Sequence, residues 1–170
     1  MYAKTKKFNE DYAKSKFKNT DVKVIGLRLF TIYGEWGRPD MLILKFLKLA
    51  DQNKQFELNF KGNMYRDFTY IKSVLRMITP LIKLKIKKKY QIFNVCSSKP
   101  VKVNDIVENL KKITKYKKIK NVSMNKHEVY KTYGSNQKIL KRINLKNVFL
   151  PINKGVKKTF NWFLKYKKII

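Results

Sequence analysis

The 170 residues predict an α/β fold on three observations. Residues 22–30 and 90–95 are β-branched and apolar runs of strand length, continuous enough for strands buried on both faces. Other segments space their apolar residues as a helix does, such as Val156, Phe160, Phe163 and Leu164. The two kinds alternate, and neither a repeat of fixed period nor a Gly/Ser/Pro-rich linker interrupts them.

In order, residues 2–17 set Phe8, Tyr12 and Phe17 among charges, a helix, and the strand at 22–30 follows. Residues 31–40 contain two glycines and a proline and are expected to form a loop. Residues 41–50 are a helix with Lys45 and Lys48 on one side, and 56–60 alternate as a strand. Lys61-Gly62-Asn63 turns the chain, 67–70 extends again, and 71–85 is helical until Pro80 kinks or ends it. After the strand at 90–95, Asn104 is the expected N-cap of a helix over 105–114, with Asp105 and Glu108 in its first turn. A short strand at 119–124, a short helix at 137–142 and an amphipathic helix at 155–166 complete the series.

The formal charge is +30, from 41 basic and 11 acidic residues. An excess of this size raises the question of nucleic acid or an anionic membrane. The lysines are spread over every segment, however, and abundant Asn and Ile fit AT-rich coding equally well. No specific nucleic-acid partner is expected, although such a field attracts anionic ligands. Cys96 is the only cysteine and His127 the only histidine, so neither an internal disulfide nor a His-based metal site can be assembled. No apolar run approaches the ~18–20 residues of a membrane helix, and residues 1–7 lack an apolar leader core. The expectation is a cytoplasmic protein without a membrane partner.

Chemistry starts at Tyr2 and Lys6. At i and i+4 of a helix the ammonium can lie near the phenol, stabilise the phenolate and prepare a general base. The spacing also occurs at Tyr12/Lys16 and Tyr116/Lys120, so the pattern alone does not choose.

Context adds a resemblance. Tyr2-Ala3-Lys4-Thr5-Lys6-Lys7-Phe8-Asn9-Glu10 resembles the catalytic helix of the extended short-chain dehydrogenases. Gly26-Leu27-Arg28-Leu29-Phe30-Thr31-Ile32-Tyr33-Gly34 is similar to the family's strand and loop. Trp36-Gly37-Arg38-Pro39-Asp40-Met41 resembles a loop of UDP-glucuronate 4-epimerases and their capsule-biosynthesis relatives. Arg66-Asp67-Phe68-Thr69-Tyr70-Ile71 and Phe93-Asn94-Val95 match two later segments in order.

The resemblance implies the carboxy-terminal part of a Rossmann-type doubly wound sheet plus a small α/β substrate-binding domain. Residues 1–35 and 71–96 would be Rossmann elements, and 36–70 and 97–170 the substrate-binding part. It implies NAD as cofactor and a UDP-sugar as substrate, with Tyr2 as base toward the sugar hydroxyl. Lys6 would lower the pKa of Tyr2 and touch the nicotinamide ribose. Thr31 and Arg38 would hold a uronic acid carboxylate, for which the planar fork of Arg is suited. Arg66 would hold the UDP diphosphate. From the residues alone, Arg66 is also a candidate surface partner of Asp67, Arg38 a solvated loop residue and Thr31 a turn-former. Same-scaffold decarboxylases and dehydratases, an inactive remnant and a basic binding protein stay open as alternatives.

The chain departs from the family at Lys72-Ser73, where two acidic residues are usual, and at Cys96, where Gly is usual. Lys126-His127-Glu128-Val129 replaces a Pro-Gly-Asp-Val stretch, and Ser135 an Asp. It also holds no Gly-x-x-Gly-x-x-Gly, the backbone cradle for a dinucleotide pyrophosphate. The reading is therefore of a carboxy-terminal half, a partner for an amino-terminal NAD-binding half, and a homodimer when complete.

Overall fold

In the computed structural model, which describes residues 2–85, 87–123, 129–146 and 149–169, helices and strands alternate along the chain. Helix α1 (Tyr2–Lys16) leads into β1 (Val24–Leu29), which pairs in parallel with β6 (Tyr90–Val95). Strand β2 (Thr31–Tyr33) pairs in parallel with β5 (Phe68–Tyr70), and β3 (Phe56–Asn59) with β8 (Ile119–Val122). The short β4 (Tyr65–Arg66) runs antiparallel to β7 (Val101–Lys102). Between the strands lie α2 (Leu42–Asp51), α3 (Ile71–Ile82), α4 (Val103–Thr114), α5 (Gln137–Ile143) and α6 (Ile152–Tyr166). The α/β fold predicted from the sequence is the fold observed.

Apolar side chains gather in two clusters. Phe93 and Val95 of β6 pack with Val74, Met77 and Leu81 of α3 and Ile139 of α5, and Ile25 and Leu27 of β1 lie against them. The larger cluster joins Phe46 and Leu47 of α2, Phe56 and Leu58 of β3, Ile106 and Leu110 of α4 and Val156 and Phe163 of α6. Tyr33, Phe68 and Tyr70 of β2 and β5 also belong to it. A fully buried side chain such as Phe46 contributes ~1.5–3 kcal/mol from transfer alone, so these clusters hold the elements in place.

Several expectations need correction. Thr31, Ile32 and Tyr33 are strand, not loop: the chain leaves β6 at Phe30 and continues on β5, where Thr31 N donates to Asp67 O at 3.1 Å. The ring of Phe30 fills the space that a Cβ on Gly134 would need, which seats this crossing. Strand β1 is half-buried at best, and Arg28 and Leu29 are exposed. Among the described residues it has β6 on one edge and no strand on the other, so only part of it is covered.

Asn104 is not the cap of α4, which begins at Val103. Val103 N donates to Met64 O at 2.8 Å, so a neighbouring strand end supplies the acceptor that a side-chain cap would give. Gly62, at φ +70°, lets that turn approach, since a Cβ there would stand 2.8 Å from Asn104 N. Glu108 lies beyond the first turn and pairs with Lys111 at 2.8 Å. Finally, α6 begins at Ile152 behind Pro151, and Gly155 is a contact point for the ring of Tyr33. The strand at 119–124 is observed to Val122, and Met124 lies outside the described residues.

Candidate functional site

The nominated residues lie on separate elements: Tyr2 and Lys6 on α1, Thr31 on β2, Arg38 on the loop after β2 and Arg66 on β4. Thr31 opens β2, and Arg66 ends β4 one residue before β5. Both line a cavity of about 290 Å³ together with Asp40, Lys45, Asn59 and Met64. Thr31 is shared with a second, narrow cleft of about 20 Å³, whose wall includes Gly34, Gly37 and Arg38. Thr31 thus borders both spaces, Arg66 only the cavity and Arg38 only the cleft.

Arg66 is half-buried and held by main chain. Its Nη1 donates to Tyr65 O at 2.9 Å and to Tyr130 O at 3.3 Å, and its Nη2 approaches Met64 Sδ at 3.6 Å. A guanidinium has more N–H donors than these contacts use, so the group is oriented and retains capacity for an anion. The surface-pair alternative for Arg66 does not describe this arrangement, because Asp67 turns away. Asp67 is fully buried and accepts from Ser97 N at 2.8 Å, Ser97 Oγ at 2.7 Å and Ser98 N at 3.0 Å. Thr69 Oγ1 adds a longer bond at 3.4 Å.

Arg38 is an exposed loop residue whose fork is engaged. Its Nε and Nη2 meet the two carboxylate oxygens of Asp40 at 3.0 and 2.5 Å. That hydrogen bond holds the Asp40 carboxyl below its usual range. An incoming carboxylate at Arg38 would have to displace Asp40. The loop carrying Arg38 is fixed at Gly34, with φ +134° and no room for a Cβ against Ile71, and by Gly37 N donating to Gly34 O at 3.3 Å.

Lys6 lies elsewhere. It lines a separate groove of about 550 Å³ between α1 and β1, with Asn9, Glu10, Gly26, Arg28 and Tyr90. Tyr2 opens α1 one turn before Lys6, and its side chain lies outside the described residues. Of the other Tyr/Lys pairs, Tyr116 is in the turn after α4 and Lys120 on β8, so that pair has no helix to share. Tyr12 and Lys16 are both on α1, where the Tyr12 ring stacks on Phe8 at 6.3 Å. Helix α1 is docked through Glu10, whose carboxylate accepts from Arg28 Nε and Nη2 at 2.6 and 2.7 Å.

Sequence reasoning missed Glu35, and it weighed Asp67 only as a motif member and a surface partner of Arg66. Glu35 accepts a bond from Tyr70 Oη at 2.6 Å and lies 3.7 Å from Lys72 Nζ, while its Oε2 and the Tyr33 hydroxyl are buried without a partner among the described residues. Burial and this carboxylate push both tyrosine hydroxyls upward in pKa. The departures are accommodated: Lys72 faces Glu35, and buried Ser73 accepts from Leu150 N at 3.4 Å. Cys96 is fully buried, and burial pushes its thiol upward. Residues 126–128 lie outside the described residues. Among the described residues no group of His, Cys, Asp and Glu could hold a metal ion, and no helix is long and apolar enough to cross a membrane.

The chain is similar to known proteins along its whole length. It is 41% identical to an uncharacterized protein of Methanocaldococcus jannaschii over 168 residues, 98% of this chain and 51% of that one. A UDP-glucuronate 4-epimerase of Thermodesulfobacterium geofontis is 34% identical over 165 residues, 95% of this chain and 49% of that one. The fold matches the crystal structure of UDP-glucuronic acid 4-epimerase from Bacillus cereus, in complex with UDP-glucuronic acid and NAD. The TM-score is 0.77 at 22% identity, over 89% of this chain and 48% of that one. The chain therefore spans about half the length of the relatives it matches. The NAD dependent epimerase/dehydratase family matches residues 1–96, more than half of the 170, and the chain belongs to that family.

Proposed function

We propose that this chain is the substrate-binding and catalytic-helix half of a nucleotide-sugar 4-epimerase acting on a UDP-uronic acid. One observation carries the reading: Thr31, Arg38 and Arg66, nominated from separate motifs, border one cavity and its adjoining cleft. Arg66, oriented by the carbonyls of Tyr65 and Tyr130, takes the diphosphate; Thr31 and Arg38 take the uronate carboxylate, with Arg38 exchanging Asp40 for it. Tyr2 accepts the proton of the sugar hydroxyl, and Lys6, one helical turn on, favours its phenolate. Residues 1–35 and 71–96 are assigned to the Rossmann part and 36–70 and 97–170 to the substrate part. The two apolar clusters support this division in part: α5, Leu145 and Phe149 pack with the first, and Tyr33 and Ile71 pack with the second.

NAD is the cofactor of the family, accepting and returning a hydride. The 170 residues fit it at one end only. Lys6 borders an open groove beside β1, but the six glycines do not form a pyrophosphate cradle. Activity is therefore proposed for an assembly, in the cytoplasm, in which this chain joins a segment bearing that cradle, on the same polypeptide or another, and pairs as a homodimer. Calorimetry on the chain alone is expected to detect UDP-glucuronate and no micromolar binding of NAD. Micromolar NAD affinity would overturn the division of labour. With the complementary segment supplied, Tyr2→Phe is expected to abolish turnover and spare UDP-sugar binding, and the product distinguishes epimerase from decarboxylase or dehydratase.

A further inference from the structure

Trp36 is an anomaly. It is 65% exposed and holds a left-handed backbone at φ +57°, a region bulky residues avoid. Its ring meets Trp162 at 5.2 Å and Tyr166 at 5.6 Å, and those two rings lie 5.8 Å apart on successive turns of α6. Glu35, its neighbour, is bonded to Tyr70, and Gly37 and Arg38, the next two residues, reach the cleft shared with Thr31. The far end of α6 is tied to α2 by Lys167 and Asp51 at 2.5 Å. The Arg38 loop is thus gripped from outside by an element remote in sequence.

We propose that Trp162 and Tyr166 are positioning residues that act through Trp36, holding the loop so that Arg38 stands at the cleft, and that α6 thereby sets the preference for an acidic over a neutral sugar. This rests on the carboxylate reading of Arg38. The physical ground is that an arginine on an unanchored loop must be ordered when it binds, whereas an anchored one has already met that cost. The chain has only two tryptophans, both in this cluster, so its tryptophan emission reports on the anchor alone.

The test compares the unmodified chain with W162A, W162F and W36A. W36A removes an exposed ring and keeps the test open should W162A fail to fold. Amide exchange over residues 34–40 is expected to rise about tenfold in W162A and W36A, and to stay near the parent in W162F. The preference for UDP-glucuronate over UDP-glucose is expected to fall roughly tenfold in the same two variants, while affinity for UDP itself is unchanged. In W162F the emission of Trp36 is expected to shift with UDP-glucuronate and not with UDP-glucose. Unchanged exchange and unchanged preference in W36A and W162A overturn the proposal. If R38A leaves the preference untouched, or neither sugar binds, the carboxylate reading falls, and the exchange measurement still decides whether the anchor exists.

Discussion

Replacing Asp67 tests how the cavity is built. Its two oxygens accept two backbone N–H groups and a serine hydroxyl within 3.0 Å, in a fully buried position. In Asp67→Asn one oxygen becomes an NH₂ facing a backbone N–H, so one charge-assisted bond is lost and one donor is orphaned. The first costs roughly 1.5–3 kcal/mol and the second about 1–3, and shared solvation keeps the total near 2–4 kcal/mol. Urea unfolding at neutral pH is the assay. With a slope of about 2 kcal/mol/M the midpoint should fall by roughly 1–2 M at unchanged slope. Ser97→Ala, which keeps both backbone bonds to Asp67 but removes the hydroxyl's bond to it and the acceptor of Lys99 N, is expected to cost about 1–2 kcal/mol. A midpoint for Asp67→Asn within ~0.2 M of the parent, equivalent to under about 0.5 kcal/mol, would refute the account of Asp67 as the knot joining β5 to the turn after β6.

Tyr33→Phe removes a buried hydroxyl without a partner among the described residues, so stability is expected to stay level or rise by about 1 kcal/mol in the same assay; a loss above 1 kcal/mol means the hydroxyl is bonded. The Arg28 hydrogen bond holds the Glu10 carboxyl below its unfolded value of about 4.3, so the pair stabilises above that pH and its contribution is lost as acid titrates the folded group. Protection of α1 amides, relative to their intrinsic exchange rates, should fall below about pH 4, and Glu10→Gln should show that low protection already at neutral pH; an α1 indifferent to both contradicts the docking role. Asp40→Asn removes the carboxylate that now occupies the Arg38 fork, so calorimetry should find tighter binding of UDP-glucuronate and little change for UDP-glucose. Weaker binding of the acid would place Asp40 among the groups that position Arg38.

The elements that announced themselves in the sequence are those whose periodicity is local. Residues 90–95 and the apolar stripe of α6 are legible because their own side chains decide which face is buried. Thr31–Tyr33 was obscured by the glycines and proline that follow it, and only the distant segment Phe68–Tyr70 makes it a strand. The cap of α4 is illegible for the same reason: a carbonyl thirty-nine positions before Val103, at Met64, replaces the side chain that Asn104 offers. Thr31, Arg38 and Arg66 could be nominated from motifs, but the cavity that Thr31 shares with Arg66, and the cleft that Thr31 shares with Arg38, depend on β2 and β5 lying side by side. Glu35 carried no signal of its own, and Asp67 stood in a motif that did not reveal its burial, because a carboxylate in a sequence does not show which groups will surround it.

The pairing of β1 with β6 has a kinetic consequence. Val24 meets Tyr90, Phe56 meets Ile119, and Thr31 meets Phe68, so each parallel ladder closes a loop of dozens of residues before its first bond forms. Closure entropy must be met in full while little apolar surface is yet buried. Refolding should accordingly be slow for a chain of this length, on the millisecond-to-second scale and beyond, with collapsed species ahead of the native state. During that interval the rim of β1 that no strand covers among the described residues is a template, and forty-one basic side chains against eleven acidic ones set the mutual repulsion that keeps two such intermediates apart.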